Sequence, residues 1–527
     1  MNRPLRRLVV VAALSAAVLV GGMPRRAAIE AASPPATADL NAVMTVALGV
    51  AVPTLDPGIP AGTPAATVRR HIYEGLVAMT EDGKIVGELA REWSVSPNGL
   101  VWTFHLQRGV QFQDGTAFDA AAMKASLDRI LDPREALPNR RYLEAVDRVE
   151  APDPQTVRIV LKEPFGAFLQ HLAYDQGFAV SPAALKKYGK EIAKNPVGTG
   201  PYRFESQIPG QSITLSRFEQ YHGGRPALAR LVFTAVSEDA TRVAQLESGQ
   251  AQIIVNVPPR EAVRLGARPD LTILSKEGNR VAHIGINVTK KPFDDTRVRQ
   301  ALNFAVTRRG LVTGILSGYG AEAQSIVAPS TWGYHAVPMY RYDVSRAKQL
   351  LAEAGYPAGF ETTIRTPQGR YLLDRETVVA VQSMLTAVGV RAKVEVVEWA
   401  RYLTLLRKPQ GENDNELYFL GWESVTGEVG YVARTVFASR QWPPTGWDTM
   451  FYKNPRVDAL IAEGDRTTEP GKRLKIYGEL QQTIMTDAPW VPLLVYAQVV
   501  GTRKTVKGVA VLPFEAIDLR RAWVERP

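Results

Sequence analysis

The chain contains no cysteine. That excludes disulfides, thiolate metal sites, a cysteine nucleophile and a cysteine for lipid attachment. Histidine is scarce: the six, at His71, His105, His171, His222, His283 and His335, are scattered, with no pair at ligand spacing. Neither a Gly-x-Ser-x-Gly elbow nor a His-Glu-x-x-His pair occurs, which weakens a hydrolase reading and a dedicated transition-metal site. No run of Lys or Arg is long enough to suggest nucleic-acid binding. Low-complexity tracts are absent. Residues 8–20 are apolar apart from small residues and follow Arg3, Arg6 and Arg7. A run of about 13 residues is short for a membrane span and suits the hydrophobic region of a signal peptide. Small residues at 27–33 offer a cleavage place, so 1–32 is expected to be a removable signal peptide. The pair Arg6-Arg7 also permits a twin-arginine route. Export without cysteine predicts a periplasmic protein that is not a lipoprotein and is stabilised by large packed cores.

What is present is a globular composition: 527 residues, 45% apolar and 22% charged. This length exceeds one core and predicts two or three domains. The formal charge of +10 falls to about +6 once the five Arg and one Glu of residues 1–32 are removed, a mild excess. Residues 43–50 read as a strand that feeds a Pro/Gly loop containing Thr54, Leu55 and Asp56. A helix is expected over 65–76, with His71 at its surface or cap. In the segment 100–107, Leu100, Trp102, Phe104 and Leu106 alternate with more polar residues, the period of a strand. Asp119 is placed to cap a helix over 120–131. Further on, strands at 281–289, 361–366, 390–397 and 417–420 alternate with helices capped by Asp294 or Asp295, over 344–354, and over 375–387. This alternation predicts a largely parallel sheet covered on both faces, with ligands beyond the carboxyl ends of its strands.

Six segments stand in an order and spacing that resembles one family. They are RHIYEGLV (70–77), LAREWSVSPNGLVWTFHLQRGVQFQDGTAFDA (89–120), NPVGTGPYRF (195–204), INVTKKPFDDTRVRQALNFAV (286–306), YRYDVSRAKQLLAEAGYP (340–357) and FYKNPRVDALI (451–461). The chain resembles the peptide/nickel-type substrate-binding proteins of ATP-driven bacterial importers. Its stretches GWESVTGE (421–428) and VFASRQWPPT (436–445) are similar to those of glutathione- and dipeptide-binding members. The resemblance implies an α/β, two-lobed periplasmic-binding-protein fold with mixed sheets and a ligand cleft between lobes. A first lobe is expected over 33–280, with an extra β-rich subdomain at about 66–190. The second lobe is expected over 281–487, and 488–527 returns to complete the first. Crossings near 278–285 and 488–500 would form a hinge. The implied role is a binding component, not an enzyme, that delivers a short peptide to inner-membrane permease subunits and their cytoplasmic ATPases. It would act as a monomer without cofactor, metal or nucleic acid.

The expected pocket centres on residues 417–431. Here an apolar strand breaks into Gly421, Trp422, Thr426, Gly427 and Glu428. Trp supplies a flat wall, Gly lets backbone approach, and the acid supplies one negative charge. Arg370 and Glu428 both follow strands. Arg370 can fork onto a peptide carboxylate, and Glu428 can hold the ammonium. The resemblance implies the same roles, with an aspartate where this chain has Glu428. The bland alternatives are an exposed loop arginine and a solvated loop acid. Tyr371, Trp399 and Asp56 complete the candidate set. Competing readings are a hydrolase, a chaperone for unfolded peptides, and a binder of an opine, oligosaccharide, metal chelate or haem.

Overall fold

The computed structural model describes residues 34–526, apart from 368, 513 and 515. The expected signal peptide, residues 1–32, therefore lies wholly outside the described residues. Among the described residues no helix is long and apolar enough to cross a membrane.

One eleven-stranded sheet runs through the molecule. At its centre lie two long antiparallel strands, Leu271–Ile286 and Trp490–Arg503. On one side the sheet continues through Leu417–Glu423, Phe360–Pro367 and Val390–Val397. On the other it continues through Ile253–Ile254, Val43–Leu48, Arg230–Ala235, Ser212–Arg217 and Tyr202–Ile208. The expectation of a largely parallel sheet is corrected. Pairing is parallel between Phe360–Pro367 and both its neighbours, and between Val43–Leu48 and both of its own. It is antiparallel at every pairing of the two central strands. The reason is connectivity: helical crossovers impose parallel pairs, whereas strands that traverse the sheet centre need none.

A separate four-stranded antiparallel sheet holds Ala90–Val95, Val101–Leu106, Thr156–Leu161 and Val146–Asp153. The alternation read from the sequence buries Trp102, Phe104 and Leu106 in its core with Val157 and Ile159. A larger core joins residues 282–496 around Trp490, which meets Phe437 and His283. Another gathers Val46, Ile72 and Leu231 with Val511, Ile517 and Leu519 from the carboxyl-terminal segment.

Capping follows the sequence. Asp119, Asp295 and Asp343 accept first-turn N–H groups of Ala120–Leu131, Thr296–Ala305 and Val344–Glu353. His71 departs from its expected surface place. It is fully buried, with Nδ1 on the Thr67 carbonyl at 2.7 Å and Nε2 accepting the Leu519 N–H at 3.0 Å. The returning carboxyl terminus covers this ring, and burial lowers its pKa to about 4.

Nearby, His222 Nε2 lies 2.9 Å from the buried Glu74 carboxylate, which also accepts the Tyr221 hydroxyl at 2.7 Å. Burial opposes charging of the imidazole, but the charge and hydrogen bond of Glu74 outweigh it and raise its pKa. A raised histidine stabilises the fold fully below its unfolded value of about 6.5 and loses this contribution as pH rises through the folded value. His222→Gln should therefore lower the melting temperature at pH 6 and matter progressively less toward pH 9. A difference independent of pH in thermal scans would assign the effect to packing.

Candidate functional site

The strand Leu417–Glu423 is buried for its first five residues and opens at Trp422 and Glu423. Its neighbour Leu271–Ile286 carries a bulge between Glu277 and Val281. Bulges re-aim side chains, and here Arg280 donates to Glu423 Oε2 at 2.7 Å. Beside this pair, the Tyr371 hydroxyl donates to the Gly421 carbonyl at 3.2 Å. Gly421 has to be small, since a Cβ there would lie 2.8 Å from the Tyr371 ring.

Arg370 is exposed, with its guanidinium 4.9 Å from the Tyr371 ring centroid and 5.2 Å from that of Trp399. The Asp374 carboxylate fixes its backbone by accepting the N–H groups of Gly369, Arg370 and Tyr371. The side chain has no carboxylate partner among the described residues. Arg370, Tyr371 and Trp399 are thus brought together: a cation laid on two aromatic faces, with its backbone anchored. Trp422 is half-buried and packs on Trp447 with ring centroids 5.7 Å apart.

Glu428 differs from the expectation. It is fully buried and caps the short helix Val429–Val432 by accepting the Gly430 N–H at 2.9 Å. Its two oxygens meet Arg434 and Arg473 at 3.1 Å each, and Oε2 also accepts the Tyr477 hydroxyl at 3.0 Å. Burial would raise this carboxyl, but Arg434 and Arg473, with help from Tyr477, hold it below the usual carboxylate value. An acid saturated by two guanidinium groups is not presented to an ammonium, so the direct role expected for Glu428 is corrected.

The two arginines reach further. Arg434 lies in the π-helical turn Ala433–Phe437, also pairs with Asp465, and stands over the Phe165 ring at 5.2 Å. Arg473 donates to the Gly166 carbonyl at 2.7 Å, while the Gly166 N–H donates to the Asp465 carbonyl at 2.8 Å. His171 Nδ1 contacts the Tyr142 carbonyl, which leaves Nε2 as an acceptor facing Arg434 at 3.4 Å. Burial first, and then the Arg434 charge, lower its pKa to about 4 and keep it neutral. Glu428 therefore organises a contact between residues 165–171 and the segments that carry Arg434, Asp465 and Arg473.

The remaining candidates fall in two places. Gly427 has φ +70°, and a Cβ there would lie 2.6 Å from the Met79 Cε methyl and 3.0 Å from its sulfur, so this glycine permits a close approach to Met79. Thr426 is buried beside it, and its hydroxyl has no partner among the described residues. Asp56 is not available to a ligand: it is buried, forked onto Arg129 at 2.6 and 3.0 Å, and accepts the Gly58 N–H.

A cavity of about 1130 Å³ lies on the other side of Arg434. Tyr142, Phe165 and His171 wall it on one side, and Arg434, Trp442 and Asp465 on the other. None of the eight candidate residues lines it. Arg434, Arg473 and Asp465 were missed by the sequence reading. A signal existed for one of them: on the helix Pro470–Asp487, Arg473 shares the buried stripe of Ile476, Tyr477, Leu480 and Ile484. An arginine on a core-facing stripe calls for a buried acid.

The chain is similar to the glutathione-binding protein GsiB of Escherichia coli O1:K1, 36% identical over 484 residues that cover 90% of this chain and 94% of that one. Among solved structures it is similar to DppA of Helicobacter pylori, an ABC transporter-associated periplasmic binding protein seen with the peptide STSA. Identity there is 27%, TM-score 0.75, and coverage 93% of this chain and 99% of that one. It is also similar to the binding protein AgaA of A. tumefacien R10, seen with agropinic acid, at 28% identity and TM-score 0.73, covering 92% and 99%. Residues 84–443 match the family model described as bacterial extracellular solute-binding proteins, family 5 Middle. With two thirds of its length in that match and this central sheet beneath it, the chain belongs to the family 5 bacterial extracellular solute-binding proteins.

Proposed function

We propose that this protein captures a short peptide, of the dipeptide, tripeptide or glutathione class, between its lobes and passes it to an inner-membrane ABC permease. The observation that carries this reading is the Arg370 guanidinium, exposed, without a carboxylate partner among the described residues and held over Tyr371 and Trp399. A planar cation so placed suits a peptide carboxylate, which it can bind through two parallel hydrogen bonds. The likeness to a glutathione-binding protein over 90% of the chain supports the ligand class. In this reading Glu428 acts through Arg434 and Arg473 and does not meet the ligand itself. The long strands Leu271–Ile286 and Trp490–Arg503 serve as the hinge for closure. Removal of residues 1–32 on export to the periplasm, and action as a monomer, belong to the same proposal.

The test is calorimetry and thermal shift on the mature chain with dipeptides, tripeptides, reduced and oxidised glutathione, and an opine. A ligand specific to the folded state adds about 2.7 kcal/mol of stability at a hundred times its Kd. Arg370→Ala should weaken the winning peptide by roughly ten- to a hundredfold, the worth of a hydrogen-bonded charge. If the opine alone binds, as the likeness to AgaA would favour, the peptide class is wrong.

A further inference from the structure

Seven Arg or Lys side chains line the 1130 Å³ cavity, against four Asp or Glu. Arg434 is engaged by Glu428 and Asp465. Arg141, Arg440, Lys453 and Arg466 have no carboxylate within ion-pair distance among the described residues. They stand on both walls: Arg141 comes from the segment Pro138–Leu143, and the other three come from residues 440–466. Arg141 is also held in place, 4.8 Å from the Tyr142 ring centroid and donating to the Tyr142 hydroxyl at 3.0 Å. Glu428 does not line the cavity; Arg434, which pairs with it, does.

Resting on the peptide reading above, we propose that this basic cavity selects ligands of net negative charge: peptides with at least two carboxylates for one ammonium. The extra carboxylate sits among Arg141, Lys453 and Arg434. A net-neutral dipeptide or tripeptide is held by Arg370 and leaves these cations unused. A peptide with a lysine side chain is repelled by them. The volume of about 1130 Å³ is slightly above the roughly 300–1000 Å³ common among small-molecule pockets, which leaves room for a tripeptide. Because the cavity has cations on both walls, an anion between them favours closure by bridging like charges that otherwise repel across the gap.

The experiment compares tripeptides of equal length by calorimetry on the mature protein: γ-glutamyl-cysteinyl-glycine, Glu-Ala-Ala, Ala-Ala-Ala and Lys-Ala-Ala. Each is titrated at low and at moderate salt. The two acidic peptides should bind at least tenfold more tightly than Ala-Ala-Ala, and Lys-Ala-Ala should be weakest. Arg141→Gln and Lys453→Gln each remove one exposed charge and leave the buried network intact. Each should cut the affinity for the acidic peptides roughly tenfold, leave Ala-Ala-Ala unchanged, and flatten the salt dependence. Equal affinity for acidic and neutral tripeptides, or acidic-peptide affinity that ignores both substitutions, overturns charge selection while leaving the peptide reading standing. If no tripeptide binds and an anionic opine does, the peptide reading falls. Weakening of that opine by the same two substitutions would keep the cavity's selection of anions.

Discussion

Replacing Gly166 with alanine should leave each core folded and hold the two lobes apart. A Cβ at this position would lie 2.0 Å from the Thr467 carbonyl oxygen and 2.7 Å from Arg473 Cδ. The first neighbour is backbone and cannot rotate away. Relief requires residues 165–171 to withdraw from residues 464–473. That movement would break the Arg473 bond to the Gly166 carbonyl, the Gly166 bond to the Asp465 carbonyl, and the stacking of Arg434 on Phe165. One of these bonds is charge-assisted, worth about 1.5–3 kcal/mol, and the other about 1 kcal/mol. If ligand is held only by the closed form, affinity should fall by roughly a hundredfold or more. Small-angle scattering should show the variant remaining extended at ligand concentrations that compact the parent. A variant as compact as the parent, with the same Kd, would mean that Gly166 has no part in closure.

Glu428→Ala is expected to be the most destabilising single change at the site. It would leave the Arg473 guanidinium, almost wholly buried, without its carboxylate, and Arg434 with Asp465 alone. Breaking a buried ion pair by removing one partner costs about 3–5 kcal/mol. In a lobe of about 200 residues that corresponds to a melting-temperature loss of roughly 10 °C. It would also remove the cap of Val429–Val432. Glu428→Gln keeps the volume and one acceptor oxygen, so it separates charge from shape. If charge dominates, the glutamine variant should lose most of the same stability. If instead Glu428 holds the ligand ammonium directly, both variants should melt near the parent temperature and fail only in ligand binding.

The sequence carried the architecture further than it carried the site. Period-two alternation at Trp102, Phe104 and Leu106, and aspartates ahead of helical stretches, are local signals, and local structure obeys them. The strands expected at 361–366 and 390–397 stand at Phe360–Pro367 and Val390–Val397, and the chain just after them carries Arg370 with Tyr371 and Trp399. The Arg370–Tyr371 contact lies within one loop, and Trp399 reaches it because the two strands pair side by side in parallel. Glu428 marks the limit. Its identity as the one acid after a glycine-rich strand end was legible, and its environment was not. Arg473 comes from a helix 45 residues further on, and Arg434 from a π-helical turn that no periodicity announces. The surroundings of Asp56 were hidden for the same reason, since its partner Arg129 lies 73 residues away on the helix Ala120–Leu131.

The sequence by itself determined the family, the alternation of strands and helices, the caps, and the chemical types of the candidate residues. Those properties are set by backbone hydrogen bonding and by burial of periodic apolar faces, which neighbouring residues decide among themselves. Tertiary structure alone decided which charges are paired and which are presented. The strength of an ion pair depends on distance and desolvation, and both are fixed only when Phe165 and Gly166 meet Arg434 and Arg473. That contact turned the expected ammonium-binding acid into the buried anchor of two arginines, with a basic cavity in front of it.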